Sequence, residues 1–230
     1  MSATSIPATV RAIFFDAVGT LVYPEPAAPA VYAAIGRRYG SAFDETSIAA
    51  RFRIAFHRQE EWDRAAGWRT SEAREIERWR SIVGEVLSDS TNPEACFQAL
   101  FAHFARAESW QIDPDAPAVL ASLASRGYVL GVASNYDQRL RSVAAGIPEF
   151  ARFAHLAISA EIGWRKPASE FFAAVCEKSL SRADQVLVVG DDFENDCQGA
   201  RAAGLHAMVL DRQNRLPARN RIGRLNDLLC

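Results

Sequence analysis

Three aspartates lie where short apolar runs of the sequence end, and this placement could bring them together for chemistry. Asp16 follows the run Ile-Phe-Phe, Asp191 follows Leu-Val-Val-Gly, and Asp196 comes five residues later. An aspartate is costly to bury unless it is paired or reacts, and neighbouring carboxylates repel one another unless a cation lies between them. Such oxygen ligands suit Mg²⁺, and an aspartate can also attack an electrophile to form a covalent intermediate. The three positions therefore predict a metal-assisted nucleophilic site.

Other polar groups are expected at the same site. Ser134 and Asn135 follow the apolar run 128–133, and Lys166 precedes a helical segment that begins at residue 169. A hydroxyl group and an ammonium ion can hold the oxygens of an anionic group. Nearly all basic residues of the chain are arginines, and the lysines are Lys166 and Lys178. A compact ammonium ion at position 166 therefore indicates a specific need.

Apolar runs alternate with helical patterns over most of the chain, which is typical of a parallel, doubly wound α/β sheet. The predicted strands are 13–15, 128–133, 154–159, 185–189 and 206–210. The predicted helices between them are 117–125, 137–145, 169–179 and 195–203. In such a sheet the carboxyl ends of the strands open on one crevice, where ligands bind. We therefore expect the polar groups to meet there.

The segment 23–112 differs, because its apolar residues recur at helical spacing without a strand pattern. Prolines at its start and the sequence Asp-Pro-Asp just after its end indicate hinges. We therefore expect an α/β core domain of residues 1–22 and 113–230, with an inserted helical domain of residues 23–112 above the crevice. The arginine-rich tail 212–224 is expected to be a solvated surface.

These motifs, in this order, resemble those of the haloacid dehalogenase superfamily of hydrolases. The four motifs are Asp16-Ala17-Val18-Gly19-Thr20, Ser134-Asn135, Lys166-Pro167 and Gly190-Asp191-Asp192-Phe193-Glu194-Asn195-Asp196. The resemblance covers the whole chain and is to the dehalogenase-like subgroup with an all-helical cap. It implies a Rossmann-like core, and a cap domain at 23–112 that opens to admit substrate and closes to exclude water.

The resemblance also implies roles for individual residues. Asp16 would be the nucleophile, while Ser134 and Lys166 would hold the group that is transferred. Thr20 would support the loop of the first motif, and Asn135 would line the entrance beneath the cap. Both are grouped with the substrate-binding residues.

A magnesium ion is implied by the same resemblance. Its ligands would be Asp16, Asp191 and the backbone carbonyl of Val18. Asp196 would either bind the ion directly or support its ligands.

Val18 departs from the family's pattern, because family phosphatases usually have a second aspartate at this position. That aspartate protonates the leaving alcohol and then helps to activate water, which is worth roughly 10²–10⁴ in rate. One interpretation is a Mg²⁺-dependent phosphatase for small phosphorylated metabolites, with weak or restricted activity. It would favour acyl or aryl phosphates, whose leaving groups need no proton.

Two other interpretations stay open. In a 2-haloacid dehalogenase the leaving halide needs no acid, and family members carry an apolar or aromatic residue at the position of Val18. Those enzymes, however, work without metal and typically have serine at the position of Asp191. The chain could also be a ligand-binding or regulatory protein that retains Mg²⁺ without turnover. Phosphonate cleavage needs a cap lysine, and the segment from Tyr23 to Asp115 contains none.

Composition narrows the class of partner. The chain has 230 residues and a formal charge of −2, so it offers no basic field for nucleic acid. It contains no apolar run that could cross a bilayer and no signal-peptide pattern at its start. Its four cysteines are scattered, without the spacing of a zinc site. We expect a cytoplasmic protein that acts on a small, anionic molecule. The sequence leaves its oligomeric state open.

Overall fold

The chain forms a parallel sheet covered by helices in a computed structural model that describes residues 5–216 and 221–229. Its strands, numbered along the chain, are β1 (Ala12–Phe15), β2 (Val22–Pro24), β3 (Trp110–Ile112), β4 (Val129–Ser134), β5 (His155–Ile158), β6 (Val186–Gly190), β7 (His206–Leu210) and β8 (Arg221–Ile222). Six of them form the main sheet in the order β5-β4-β1-β6-β7-β8. All neighbouring strands of this sheet are parallel, which confirms the predicted doubly wound α/β core.

Helices connect these strands. They are α1 (Ala28–Arg38), α2 (Glu45–Ala65), α3 (Glu72–Val86), α4 (Pro93–His103), α5 (Ala116–Ser125), α6 (Arg139–Gly146), α7 (Ser159–Ile162), α8 (Ser169–Lys178) and α9 (Gly199–Ala202). A π-helical turn, Phe193–Gln198, precedes α9. The helix predicted over 195–203 is therefore present in two parts, the π-helical turn and α9. The π-helical turn begins after Asp192, whose side chain accepts a hydrogen bond from the backbone N–H of Asn195.

Strand β1 lies at the centre of the sheet because it is apolar on both faces. All four of its residues are buried, as is expected for a strand covered on both sides by helices. Alternate side chains of β1 enter two separate hydrophobic clusters: Ile13 and Phe15 pack on one face of the sheet, and Ala12 and Phe14 on the other. Burial of this strand positions the residue that follows it, Asp16, at the carboxyl edge of the sheet.

Helices α1–α4, here called the helical layer, have a hydrophobic cluster of their own, which extends from Val31 to Leu100. Three of these helices begin at a side chain that accepts a hydrogen bond from the first turn: Asp44 for α2, Ser71 for α3 and Asn92 for α4. Such caps satisfy N–H groups that have no partner within the helix.

Strands β2 and β3 join the helical layer to the core as an antiparallel pair. The expectation that 23–112 contains no strand was wrong at its two ends, because these strands are too short to show an alternating pattern. The tail contributes β8 to the main sheet, and Ile222 is buried. It is therefore not only a solvated surface, and residues 217–220 of the tail lie outside the described part. The domain limits 1–22, 23–112 and 113–230 stay a prediction.

Within the described residues, no helix is both long and apolar enough to span a membrane.

Candidate active site

Lys166 lies between two of the predicted aspartates at the carboxyl edge of the sheet. Its ammonium group donates hydrogen bonds to Oδ1 of Asp16 at 2.8 Å, to Oδ1 of Asp196 at 2.5 Å and to the carbonyl oxygen of Ala133 at 2.7 Å. All three donors of the ammonium ion therefore have acceptors. The side chain of Lys166 is only 2% exposed, so the two ion pairs are shielded from water.

The pKa values of these groups reflect burial opposed by ion pairing. Burial raises the pKa of Asp16 in spite of the opposing charge of Lys166, and it raises the pKa of Asp196 to about 7. Burial alone would lower the pKa of Lys166, but Asp16 and Asp196 hold it above its usual range. Lys166 is therefore a permanent cation at neutral pH.

Asp191 completes the acidic cluster from the end of β6. Its Oδ1 accepts a hydrogen bond from the hydroxyl of Thr20 at 3.0 Å. Thr20 is fully buried, so it supports Asp191 from below and does not line the cavity described later in this section. Removal from water and the nearby charge of Asp196 raise the pKa of Asp191.

This cluster fits a divalent cation. One oxygen each of Asp16, Asp191 and Asp196 lies within 4.8 Å of the other two. Three carboxylates and the ammonium ion of Lys166 leave a net charge of −2, which a divalent cation would balance. The raised pKa values show that the cluster opposes full ionisation without such an ion. Carboxylate oxygens are also the ligands that Mg²⁺ prefers.

The second predicted motif fixes the loop that carries Lys166. The side-chain oxygen of Asn135 accepts a hydrogen bond from the backbone N–H of Lys166 at 2.8 Å, and its side-chain nitrogen donates to the carbonyl oxygen of Lys166 at 3.0 Å. Asn135 thus holds the loop that carries Lys166, and it also lines the cavity. Ser134, the last residue of β4, is 2% exposed and lines the same cavity.

Arg212 is a site residue that sequence reasoning missed. Its guanidinium donates to the carbonyl oxygens of Gly19 and Thr20 at 2.9 and 3.3 Å and to Asp113 at 2.7 Å. It therefore holds the loop after Asp16 in place from the far end of the chain. The motif pattern gave no signal for this, because Arg212 lies in a tail rich in arginines.

A cavity of about 370 Å³ lies between the acidic cluster and the helical layer. Its floor is lined by Asp16, Val18, Ser134, Lys166 and Asp191. Aromatic side chains form much of the remaining wall: Tyr32, Phe52, Phe56, Trp79, Phe104, Trp110 and Tyr136. Most of the predicted site residues therefore lie at one end of a cavity whose remaining wall is largely aromatic.

Arg165, the residue before Lys166, ties the core to the helical layer. Its guanidinium donates to Glu75 of α3 and to Glu60 of α2, the latter at 3.0 Å. Backbone bonds add to this contact: the N–H of Arg165 donates to the carbonyl of Trp68, and the N–H of Thr70 donates to the carbonyl of Gly163. The loop that carries Lys166 is thus attached to the loop between α2 and α3.

The chain matches the sequence family described as haloacid dehalogenase-like hydrolase over residues 10–204, which is most of its length. The chain belongs to the haloacid dehalogenase-like hydrolases. This confirms the resemblance drawn from the four motifs, and it makes the protein a hydrolase.

Among the haloacid dehalogenase-like proteins similar to this chain are two named phosphatases. The ribulose-1,5-bisphosphate 5-phosphatase of Halopiger xanaduensis is 29% identical over 206 residues, covering 87% of this chain and 84% of that protein. The phosphoserine phosphatase of Thermus thermophilus is 27% identical over 225 residues, covering 88% and 89%. The L-2-haloacid dehalogenase of Xanthobacter autotrophicus has the same fold, with a TM-score of 0.73 and 18% identity over 95% of this chain and 96% of that one.

Proposed function

We propose that the protein is a magnesium-dependent phosphatase for small phosphorylated molecules, with Asp16 as its nucleophile. The observation that carries the proposal is the acidic cluster of Asp16, Asp191 and Asp196, whose charge Lys166 balances only in part. A metal-free dehalogenase has no need of this excess charge. The two phosphatases among the relatives support the same choice.

Each residue of the site has a role in this proposal. Asp16, Asp191 and the carbonyl of Val18 would hold Mg²⁺, with Asp196 binding the ion or orienting its ligands. Bound Mg²⁺ offsets charge that develops on the phosphoryl oxygens. Lys166 keeps Asp16 ionised and in place, and its positive charge attracts the phosphoryl oxygens, which the hydroxyl of Ser134 would bind. The helical layer acts as a cap that excludes bulk water.

The reaction would proceed in two steps. Asp16 attacks phosphorus through a carboxylate oxygen, and the bond from phosphorus to the leaving oxygen breaks, so that the electron pair departs with that oxygen. Water then hydrolyses the aspartyl phosphate, which releases phosphate and restores Asp16. Val18 cannot donate a proton to the leaving oxygen. The substrates are therefore those whose leaving groups depart as stable anions, such as acyl and aryl phosphates.

One observation favours a second candidate. Val18 lines the cavity beside Asp16, and an apolar residue there suits a reaction in which halide departs without a proton. In a 2-haloacid dehalogenase Asp16 would attack carbon instead of phosphorus. The charge of Asp191 and Asp196 disfavours this candidate, because a haloacid is itself an anion.

The test is phosphate release from acetyl phosphate and from para-nitrophenyl phosphate, with and without Mg²⁺. Asp16→Asn serves as the blank. Release that requires Mg²⁺ and disappears in the variant would support the phosphatase. Chloride release from 2-chloropropionate without metal would support the dehalogenase. Stabilisation of the fold by Mg²⁺ without turnover of either class would indicate a binding or regulatory protein. The small anionic substrate, the lack of nucleic-acid and membrane partners and the cytoplasmic location stay predictions.

A further inference from the structure

We propose that the cavity selects substrates whose organic part is an uncharged aromatic group, so that the natural substrate is an aryl phosphate. This inference rests on the proposed phosphatase function and adds the class of its leaving group. It comes from the aromatic wall of the cavity, which the proposed reaction at Asp16 does not use.

The wall is a continuous set of aromatic rings. Phe52 packs against Tyr32 and Phe56, with ring centroids 5.7 and 5.8 Å apart. Trp110 packs against Phe104 and Tyr136 in the same way, at 5.8 and 6.3 Å. A ring of a bound ligand could pack against such a wall in the offset or edge-to-face arrangements that aromatic pairs prefer.

The arginines of the wall already have partners. The guanidinium of Arg139 binds both carboxylate oxygens of Asp137, at 2.8 and 2.6 Å. It also lies 3.8 Å from the centre of the Phe101 ring. Burial alone would lower the pKa of Arg139, but Asp137 holds it above its usual range. The charge of Arg139 is therefore balanced by Asp137 within the protein.

The other two arginines of the wall belong to one network of ion pairs. Arg78 pairs with Asp63 and Glu60, and Arg165 pairs with Glu75 and Glu60. Arg74 adds a third guanidinium, which pairs with Asp63. Three arginines thus face three carboxylates.

Among the described residues that line this part of the cavity, a second anionic group on the substrate would accordingly meet only cations whose charge a carboxylate already balances. Nor would a cationic group find an available carboxylate in the network. Burying either charge without a partner is costly. The wall therefore favours an uncharged group and disfavours substrates with a carboxylate or a second phosphate remote from the reacting one.

The size of the cavity agrees with a small aromatic group. Its volume of about 370 Å³ lies near the lower end of the range of about 300–1,000 Å³ found for pockets that bind small organic molecules. A phosphate monoester with one or two rings is a molecule of this class.

The leaving group gives a second, independent argument. A phenol has a pKa of about 10, as the tyrosine side chain does, whereas that of water is about 15.7 and aliphatic alcohols resemble water. A phenolate can therefore depart with the electron pair of the broken P–O bond without an acid at position 18. The aromatic wall and Val18 thus favour the same substrates.

The test compares substrates that differ in ring and charge. Phenyl phosphate and 2-naphthyl phosphate are compared with two other substrates. Acetyl phosphate has a good leaving group, acetate, but no ring, and 4-carboxyphenyl phosphate has a ring with an additional charge. We expect KM for the two uncharged aryl esters to be about tenfold or more below that for acetyl phosphate, because burial of an aromatic side chain is worth about 1.5–3 kcal/mol. The carboxylated ester is expected to have at least about tenfold lower kcat/KM than phenyl phosphate.

A pair of variants assigns the selectivity to the wall. Phe56→Leu removes a ring that lines the cavity, whereas Phe97→Leu removes a ring of the helical layer that is buried elsewhere. In Phe56→Leu the ratio of kcat/KM for 2-naphthyl phosphate to that for acetyl phosphate should fall about tenfold. In Phe97→Leu the ratio should not change. Equal ratios in both variants and the natural protein would overturn the assignment.

Failure of this inference can be told apart from failure of the proposed function. Mg²⁺-dependent hydrolysis of acetyl phosphate with no advantage for the aryl esters would overturn the aromatic selectivity and leave the phosphatase intact. Binding is measured separately, as the thermal stabilisation of the Asp16→Asn variant by phenyl phosphate and by acetyl phosphate in the presence of Mg²⁺. A preference for phenyl phosphate there, with no turnover in the natural protein, would overturn the phosphatase and support the aromatic ligand class.

Discussion

A Cβ atom on Gly19 would lie 2.4 Å from Oδ2 of Asp191, closer than any side chain can approach. Gly19 also has a φ of +92°, a backbone conformation that L-residues rarely adopt. We therefore expect Gly19→Ala to displace Asp191 and to abolish Mg²⁺-dependent phosphate release. Calorimetric titration with Mg²⁺ and the phosphatase assay would measure the two effects.

The matched control for this change is Gly127→Ala. Gly127 has a φ of +85°, but nothing lies within 4 Å of a Cβ atom there. This variant should lose roughly 1–2 kcal/mol of unfolding free energy from backbone strain alone and retain activity. If both variants kept Mg²⁺ binding, the close approach of Gly19 to Asp191 would not matter for the site.

Removal of the ammonium group of Lys166 should destabilise the metal-free protein, because Asp16 and Asp196 would then be buried without a cation. We expect Lys166→Met to lower the unfolding free energy by about 3–5 kcal/mol in urea denaturation. The exposed Lys178, at the end of α8, gives the control Lys178→Met, which should change it by less than about 0.5 kcal/mol. In an Asp16→Asn background, Lys166→Met should lower the unfolding free energy by less, since one of the two carboxylates is then replaced by a neutral amide. Equal losses in the two backgrounds would contradict this account.

An aspartate in place of Val18 should widen the range of leaving groups. Val18 is 37% exposed toward the cavity, so a carboxyl group fits there. Val18→Asp should raise the rate for alkyl phosphates by about 10²–10⁴ by supplying a proton to the leaving oxygen. The rate for aryl phosphates should change far less. Steady-state kinetics on matched alkyl and aryl esters measure the ratio of the two rates. The control Val18→Ala, which adds no acid, should leave this ratio unchanged.

Arg165 and Arg64 each form ion pairs between the core and the helical layer, and these ion pairs should differ greatly in importance. Arg165 is 3% exposed, whereas Arg64 and its partner Glu194 are 61% and 51% exposed at the surface. Arg165→Met should lower the unfolding free energy by about 3–5 kcal/mol, because it leaves carboxylates buried without their cation. It should also speed proteolysis between α2 and α3. Arg64→Met should lower the unfolding free energy by only about 0–1 kcal/mol. An equal effect of the two substitutions would contradict the role given to Arg165.

Low pH should weaken the ion pair between Arg165 and Glu75, because Glu75 becomes protonated. Burial would raise the pKa of Glu75, but Arg165 and Arg78 together hold it below its usual value. A carboxylate whose pKa is lowered by folding stabilises the protein above its unfolded pKa of about 4.3, and this stabilisation is lost as the pH falls through the folded pKa. The unfolding free energy of Glu75→Gln should therefore depend less on pH below about 4.3 than that of the natural protein. Glu77→Gln, on the exposed side of the same helix, should behave like the natural protein.

Much of the core and its catalytic edge could be predicted from the sequence. Buried strands read as apolar runs, and a parallel sheet brings the residues after its strands to one edge whatever their separation in the chain. The positions of Asp16, Ser134 and Asp191 at that edge followed from these rules. The family resemblance supplied their roles, and the family match confirmed the resemblance.

Other features were decided only by the tertiary structure. Arg212 was indistinguishable from the other arginines of a chain rich in that residue, because a sequence does not show which guanidinium reaches a carbonyl or a carboxylate of a distant segment. Likewise, the helical spacing of Phe56 and Trp79 predicted helices, but it did not show that both side chains line the same cavity as Asp16. Strand and helix periods are local properties of the chain, whereas ion pairs and the lining of a cavity depend on how whole elements pack against one another.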